Sequence, residues 1–111
     1  MRILAIEREQ PTPVQSNLPD LFRAEAAGVW DLWKRGIIRD VWFTAADRRA
    51  IILLECGDAA EAKRHLDTLP LVQSGFAAFT LHELCTYDGF ERLFSTGVEP
   101  PAAKPEEPAE Y

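Results

Sequence analysis

The stretch Ala50-Ile51-Ile52-Leu53-Leu54 decides the fold of this chain. Five consecutive apolar residues lie within a predicted strand over residues 49–56. Because successive side chains of a strand point to opposite faces of its sheet, an unbroken apolar run predicts burial on both faces. If every helix packs on one side of the sheet, the other side stays bare. We therefore expect a second subunit to cover it.

Residues 2–8 form the first predicted strand, which ends before Pro11 and Pro13 because proline cannot donate a ladder hydrogen bond. A helix is predicted from its cap at Asn17 to residue 34, and Gly36 is its stop signal. Five apolar residues of this helix recur at spacings of three and four and are expected to form its packing face. They are Phe22, Ala26, Val29, Trp30 and Trp33.

Residues 37–44 form the second predicted strand, and a short turn of three residues, 46–48, is expected to join it to the third. A second helix begins at Asp58, which forms a capping box with Glu61, and ends at Pro70. Residues 75–85 form the fourth strand, and a short amphipathic segment follows over residues 90–94.

The order β-α-β-β-α-β predicts an α+β protein of the ferredoxin-like kind, with a four-stranded antiparallel sheet and two helices on one face. Residues 1–98 are assigned to this domain. Residues 99–111 contain four prolines and four glutamates and are predicted to be a disordered acidic tail.

Composition narrows the function classes. The chain has 111 residues, a net charge of −6 and no basic stripe or glycine-rich phosphate loop, so neither a nucleic acid nor a nucleotide is an expected partner. Its apolar runs are too short for a membrane span, and residues 1–7 lack the features of a secretory signal, which favours the cytoplasm. Cys56 and Cys85 are expected to be buried thiols. No histidine, cysteine or carboxylate cluster has metal-ligand spacing, so no metal is expected.

The segment 36–85 resembles the muconolactone isomerases. The likeness is carried by Gly36, by the Arg39-x-x-Trp42 pattern of the second strand, by Leu69-Pro70-Leu71 and by Leu84-Cys85. The chain departs from the family pattern around Asp40, Phe43 and Thr44.

The resemblance implies a dimeric α/β barrel, in which two copies join sheet to sheet and assemble into a larger homo-oligomer. It also implies an enzyme that shifts the ring double bond of a small lactone by proton transfer, without a metal or another cofactor. A fold can host several chemistries, so activity has to be argued from the site.

Candidate site residues follow from strand pairing. With a three-residue turn, Arg39 lies opposite Glu55 and Val41 opposite Leu53. Glu55 is then a candidate base and Arg39 a candidate anchor for an anionic substrate group. The alternative is a structural cross-strand ion pair. His82 is a candidate acid or base, against the alternative of a strand histidine without a catalytic role.

The three tryptophans, Trp30, Trp33 and Trp42, are candidates for lining a substrate pocket. Aromatic residues at helical spacing more often belong to the core, and only Trp42 gains support from the resemblance. Two other functions remain open at this point. One is a cofactor-free monooxygenase on the same dimeric scaffold, and the other is a non-catalytic ligand-binding or assembly protein.

Overall fold

The computed structural model describes residues 1–13 and 16–94, so the predicted acidic tail, residues 99–111, lies outside the described residues. The described chain follows the predicted order, with one short helix added between the second helix and the fourth strand. The elements are β1 (Arg2–Arg8), α1 (Leu18–Lys34), β2 (Ile38–Phe43), β3 (Ala50–Glu55), α2 (Ala59–Leu66), α3 (Pro70–Gln73) and β4 (Ala78–Glu83), followed by a 3-10 turn at Gly89–Leu93.

The four strands form one antiparallel sheet in the order β2-β3-β1-β4. This is the ferredoxin-like arrangement, and it confirms the predicted α+β fold class. No helix in the described part of the chain is long and apolar enough to cross a membrane.

The central strands have one buried and one open face. Ile3 and Ala5 of β1 pair with Leu54 and Ile52 of β3, and all four side chains belong to the core cluster. The helices contribute Leu32, Ala62 and Leu66 to the same cluster. Alternate residues of β1 and β3 therefore point to the other side of the sheet, as the apolar run predicted.

Helix α1 ends as predicted, but it packs through a different face. Gly36 adopts the left-handed φ of 76° that closes the helix. On the packing side, Leu32 is buried and Val29 touches the core, whereas Phe22, Trp30 and Trp33 are 50%, 59% and 44% exposed. The predicted stripe was therefore wrong, except for Val29.

The cause is a second apolar stripe that runs beside the first. Leu21, Gly28 and Leu32 are spaced by seven and four positions, and Val29 is shared by the two stripes. Periodicity alone does not choose between neighbouring stripes. Gly28 settles the choice, because a Cβ placed there would lie 3.0 Å from Cδ2 of Leu69. A residue without a side chain lets the helix approach Leu69 closely.

Helix α2 starts with the predicted cap. The side chain of Asp58 accepts a 2.8 Å hydrogen bond from the backbone N–H of Glu61, whose carboxylate accepts from the N–H of Gly57.

Cys56 is buried and Cys85 is exposed, and both are free thiols, so the predicted burial was wrong for Cys85. Cys85 lies beyond the last residue of β4, in a segment of exposed residues.

The turn between β2 and β3 is longer than predicted, and this changes the pairing of the two strands. Thr44 and Arg49 close a turn of four residues, because the N–H of Thr44 donates to the carbonyl of Arg49 at 2.8 Å. Val41 therefore lies opposite Ile52, not Leu53. A one-residue change in register moves each side chain of β2 to the other face.

A β-bulge then changes the register a second time. Ile38 pairs with Leu54, whereas Asp40 pairs with Leu53, so Arg39 is the extra residue of the bulge. The predicted pairing of Arg39 with Glu55 was therefore wrong. Instead, the backbone N–H of Glu55 donates to the carbonyl of Ile37 at 2.8 Å.

Candidate functional site

The side of the sheet opposite the helices is an apolar surface with polar groups at its margins, and we call it the open sheet face. Its floor is formed by four partly buried residues of the two central strands, namely Leu4, Ile6, Ile51 and Leu53. Helices α1 and α2 contribute their buried residues to the core on the other side. The open sheet face is thus the bare apolar surface that the sequence predicted.

One row of paired residues crosses the open sheet face from edge to edge. Asp40 of β2 pairs with Leu53, Leu53 with Leu4, and Leu4 with His82 of β4. Asp40 and His82 are both partly buried. Since neighbouring strands lie about 4.8 Å apart, the two residues are separated by roughly 14 Å across three strand spacings.

The next row along the strands carries the candidate base. Glu55 pairs with Arg2 of β1, and its carboxylate oxygen Oε2 lies 3.2 Å from the amino group of Met1. The side chain of Glu55 is 46% exposed, so this ion pair contributes little to stability. His82 lies two strands away and two residues along, which places its backbone roughly 12 Å from that of Glu55.

Arg2 is a cation that the sequence reasoning missed. It occupies the same face of β1 as Leu4 and Ile6, and this alternation was the signal that could have found it. Arg2 and Arg39 are both exposed, and neither forms a salt bridge within residues 1–13 and 16–94. Two guanidinium groups are therefore available for an anionic ligand near this end of the sheet.

The tryptophans do not lie together. Trp42 pairs with Ile51 and is 48% exposed on the open sheet face. Trp30 and Trp33 lie on α1, on the other side of the sheet, and both are too exposed to be the core residues that their spacing favoured. Lys34 lies 6.0 Å from the ring centre of Trp30. Of the three tryptophans of one chain, only Trp42 lies on the open sheet face.

Two further carboxylates lie on the helix side of the sheet. Glu7 accepts a 2.8 Å hydrogen bond from the backbone N–H of Ala50, and Glu25 accepts one of 2.9 Å from that of Leu71. Burial raises the pKa of Glu25, and the nearby charge of Glu7 raises it further against the opposing effect of the Leu71 hydrogen bond. Their positions in the inward-facing patterns of β1 and α1 were the available sequence signal.

Both of these carboxylates have a structural role that explains them. Leu71 lies in the first turn of α3, where a backbone N–H has no partner within the helix, so Glu25 ties α1 to α3. Glu7 ties β1 to Ala50, the first residue of β3, in the same way.

Among the residues that the structure describes, no group of three or more histidine, cysteine or acidic side chains could hold a metal ion.

The arrangement on the open sheet face suits the transfer of a proton on a small anion. It offers the carboxylates of Glu55 and Asp40, the imidazole of His82 and the guanidinium of Arg2 around an apolar floor, and the exposed Arg39 precedes Asp40 in the bulge. A base can remove a proton beside a carbonyl, and cations can hold a carboxylate or stabilise the enolate that forms. Such chemistry also needs the exclusion of water, which one chain alone does not provide here.

Comparison with known structures finds a protein of the same architecture. The crystal structure of muconolactone isomerase superposes on the chain with a TM-score of 0.66, covering 91% of this chain and 100% of the other. The chain has a muconolactone isomerase-like fold. The sequence identity is 16%, so the likeness concerns the fold. No protein-family model and no curated protein sequence matches the chain.

The muconolactone isomerase-like fold confirms the family resemblance that the segment 36–85 predicted for the architecture. It extends the likeness from that segment to nearly the whole chain, including β1 and α1. The open sheet face is thus set on a known scaffold, and its chemistry depends on this chain's own side chains.

Proposed function

We propose that this protein is a cofactor-independent isomerase that moves a proton between carbon atoms of a small unsaturated lactone acid. The observation that carries the proposal is the open sheet face, where Glu55, Arg2 and His82 surround an apolar floor. The muconolactone isomerase-like fold supports the same class of reaction.

In the proposed reaction, the Glu55 carboxylate removes a proton from the ring carbon beside the double bond. The electrons move into a dienolate that extends to the lactone carbonyl, and the proton then returns to the carbon at the far end of that system. No atom is gained or lost. Arg39 binds the substrate carboxylate, which a planar guanidinium can hold through two hydrogen bonds.

The other side chains of the site have assigned roles in the proposal. His82 donates a proton or a hydrogen bond to the dienolate oxygen, and the ring of Trp42 forms one wall. Arg2 supplies a second positive charge beside Glu55. Its charge favours the dienolate over the uncharged lactone ring of the substrate, which is the difference that lowers the barrier.

A homodimer is part of the proposal, because the floor of the site is open in one chain. Two copies joined through this face would bury Leu4, Ile6, Ile51 and Leu53 and exclude water from the polar groups beside them. An open apolar surface is otherwise unfavourable for a protein in water.

The test uses the full chain with muconolactone in deuterated buffer, followed by proton NMR. We expect the double bond to shift and deuterium to enter the ring. Glu55→Gln should lower the rate by about a hundredfold or more, since it removes the base. His82→Asn should also lower it.

The matched control is His65→Asn, because His65 lies on α2 and contacts Glu61 away from the open sheet face. It should keep the wild-type rate. An unchanged rate in Glu55→Gln contradicts the assignment of the base, and the absence of both turnover and exchange contradicts the isomerase. An oxygen electrode run with an aromatic acid separates the monooxygenase, since only that activity consumes dioxygen.

A further inference from the structure

Helix α1 has a second apolar side, which the described part of the chain leaves exposed. The helix contributes Leu32 to the core from a different side. Five residues at spacings of four and three lie along the exposed side. We call it the α1 aromatic face, and its members are Leu18, Phe22, Ala26, Trp30 and Trp33. A contiguous exposed apolar patch with a charged border marks an interaction surface.

The length and charge of the α1 aromatic face define the ligand that it suits. Phe22 and Trp33 are separated by roughly 17 Å along the helix axis. Arg23 and Lys34 border the face beside Trp30, and the ammonium group of Lys34 lies 6.0 Å from the centre of that ring. Neither cation forms a salt bridge with another residue that the structure describes. The face therefore suits an extended segment that is apolar and negatively charged.

The acidic tail of this chain has that composition. It contains the stretch Pro100-Pro101-Ala102-Ala103-Lys104-Pro105-Glu106-Glu107-Pro108. Proline-rich segments favour the polyproline II helix and bind aromatic-lined surfaces in that conformation. Since this helix has three residues per turn, Ala102, Pro105 and Pro108 would share one side of it and extend over roughly 19 Å, close to the length of the α1 aromatic face. The tail has four glutamates against one lysine, which complements the two cations beside that face.

The tail is long enough to reach the α1 aromatic face of its own chain. One paired row crosses the sheet where β4 ends, and its members are Glu83, Ile3, Leu54 and Ile38. Strand β2 begins in this row, directly after the end of α1. The end of β4 thus lies roughly 14 Å from the start of β2, across three strand spacings. Residues 84–101 can span up to about 60 Å when extended, which exceeds this distance several times.

We propose that residues 100–108 bind the α1 aromatic face of their own chain as a polyproline II helix, with Ala102, Pro105 and Pro108 against the aromatic rings. The contact removes these rings from water, and the stiffness of proline reduces the entropy lost on binding. Attachment to the same chain gives the segment an effective concentration of about millimolar, so a weak contact is sufficient. The α1 aromatic face is on the helix side of the sheet, so this interaction does not depend on the proposed isomerase site.

The test measures the distance between the tail and the three tryptophans by NMR. The full ¹⁵N-labelled chain carries Cys85→Ser and Ala109→Cys, and a nitroxide spin label is attached at position 109, since Cys56 is buried. The indole N–H signals are compared before and after chemical reduction of the label. We expect the oxidised label to weaken the signals of Trp30 and Trp33. Trp42, on the other side of the sheet, is an internal control and should keep its intensity.

Two changes should release the tail. Replacing Pro105 and Pro108 together by alanine should lower the docking equilibrium by about fivefold or more, because a flexible segment loses more entropy on binding. Arg23→Glu should also lower it, because it places a like charge beside the tail. The matched control is Arg64→Glu, which makes the same change of charge at an exposed position of α2 and should have no effect.

The possible outcomes separate the proposal from its alternatives. It is overturned if Trp30 and Trp33 keep their intensity, if Trp42 loses as much as they do, or if the double proline variant behaves as the unsubstituted tail. A mixture of spin-labelled unenriched chain with label-free ¹⁵N chain tests for docking between copies. Equal weakening of Trp30 and Trp33 in that mixture would overturn docking within one chain. The proline variant alters only the tail, so it decides the matter even if Arg23→Glu fails to fold.

Discussion

Substituting Leu53 and Leu54 separately tests the two-faced character of β3. The two residues are chain neighbours of identical chemistry, so Leu53→Ala and Leu54→Ala change helix and strand propensity equally. They differ in surroundings. Leu54 is fully buried between Ile3 and Ile38, whereas Leu53 is partly exposed between Leu4 and Asp40.

The expected magnitudes follow from these surroundings. Truncation of a fully buried leucine costs about 2–5 kcal/mol, because the transfer free energy is lost and a cavity remains. Leu54→Ala should therefore lower the free energy of unfolding by about 3 kcal/mol at any protein concentration. Leu53→Ala removes atoms that are already partly in water and opens no closed cavity, so it should cost about 1 kcal/mol or less within one chain.

A dimer formed through the open sheet face adds a second difference. Leu53 would lie in the interface, so Leu53→Ala should raise the dissociation constant by about tenfold for each 1.4 kcal/mol of lost contact energy. Its midpoint of unfolding should then depend on concentration more steeply than that of Leu54→Ala.

Urea unfolding at two protein concentrations about a hundredfold apart, with light scattering on the same samples, measures both quantities. Equal losses in the two variants at a concentration where light scattering gives a monomer would refute the assignment of the two faces. Light scattering that gives a monomer for the wild type and for Leu53→Ala at every concentration would refute the interface.

Three further predictions concern single positions. Burial raises the pKa of Glu25, so the folded chain should lose stability as the pH rises from the ordinary glutamate pKa towards the raised one. Glu25→Gln still accepts the hydrogen bond from Leu71 and should not show this loss. Superimposable curves of stability against pH for the two proteins would contradict this prediction. Gly36→Ala should cost about 1 kcal/mol by thermal unfolding, because its φ of 76° disfavours a side chain. Deletion of Arg39 removes the bulge and should destabilise the chain by several kcal/mol. Arg39→Ala keeps the bulge and should change the free energy of unfolding by only about 0.5 kcal/mol. Equal effects of the two changes would show that the bulge has no role.

The sequence was sufficient for the order of the elements because each strand and helix carries local signals. The apolar run of β3 predicted two non-polar sheet faces, and Gly36 and Asp58 marked a helix end and a helix start that the structure contains. Such features depend on neighbours in the chain, so one sequence reveals them.

The candidate site was harder to predict, because it depends on register. A turn of four residues in place of three moved Val41 from the position opposite Leu53 to that opposite Ile52. The choice between two adjacent apolar stripes of α1 depended on the contact of Gly28 with Leu69, residues far apart in sequence. Neither the turn length nor that contact leaves a periodic signal in the chain.

The bulge in β2 has a physical reason that also bears on Arg39. Ile38 and Asp40 are two residues apart, so a regular strand would turn both side chains to the same face. Either the carboxylate of Asp40 would then enter the core, or Ile38 would leave it. The extra residue lets Ile38 join the core while Asp40 pairs with Leu53 of the open sheet face. The bulge requires an extra residue at position 39 but does not require a particular type of residue there. The side chain of Arg39 is exposed and forms no salt bridge in the described part of the chain. Packing therefore explains where Arg39 lies, and ligand binding is the role that its guanidinium is proposed to serve.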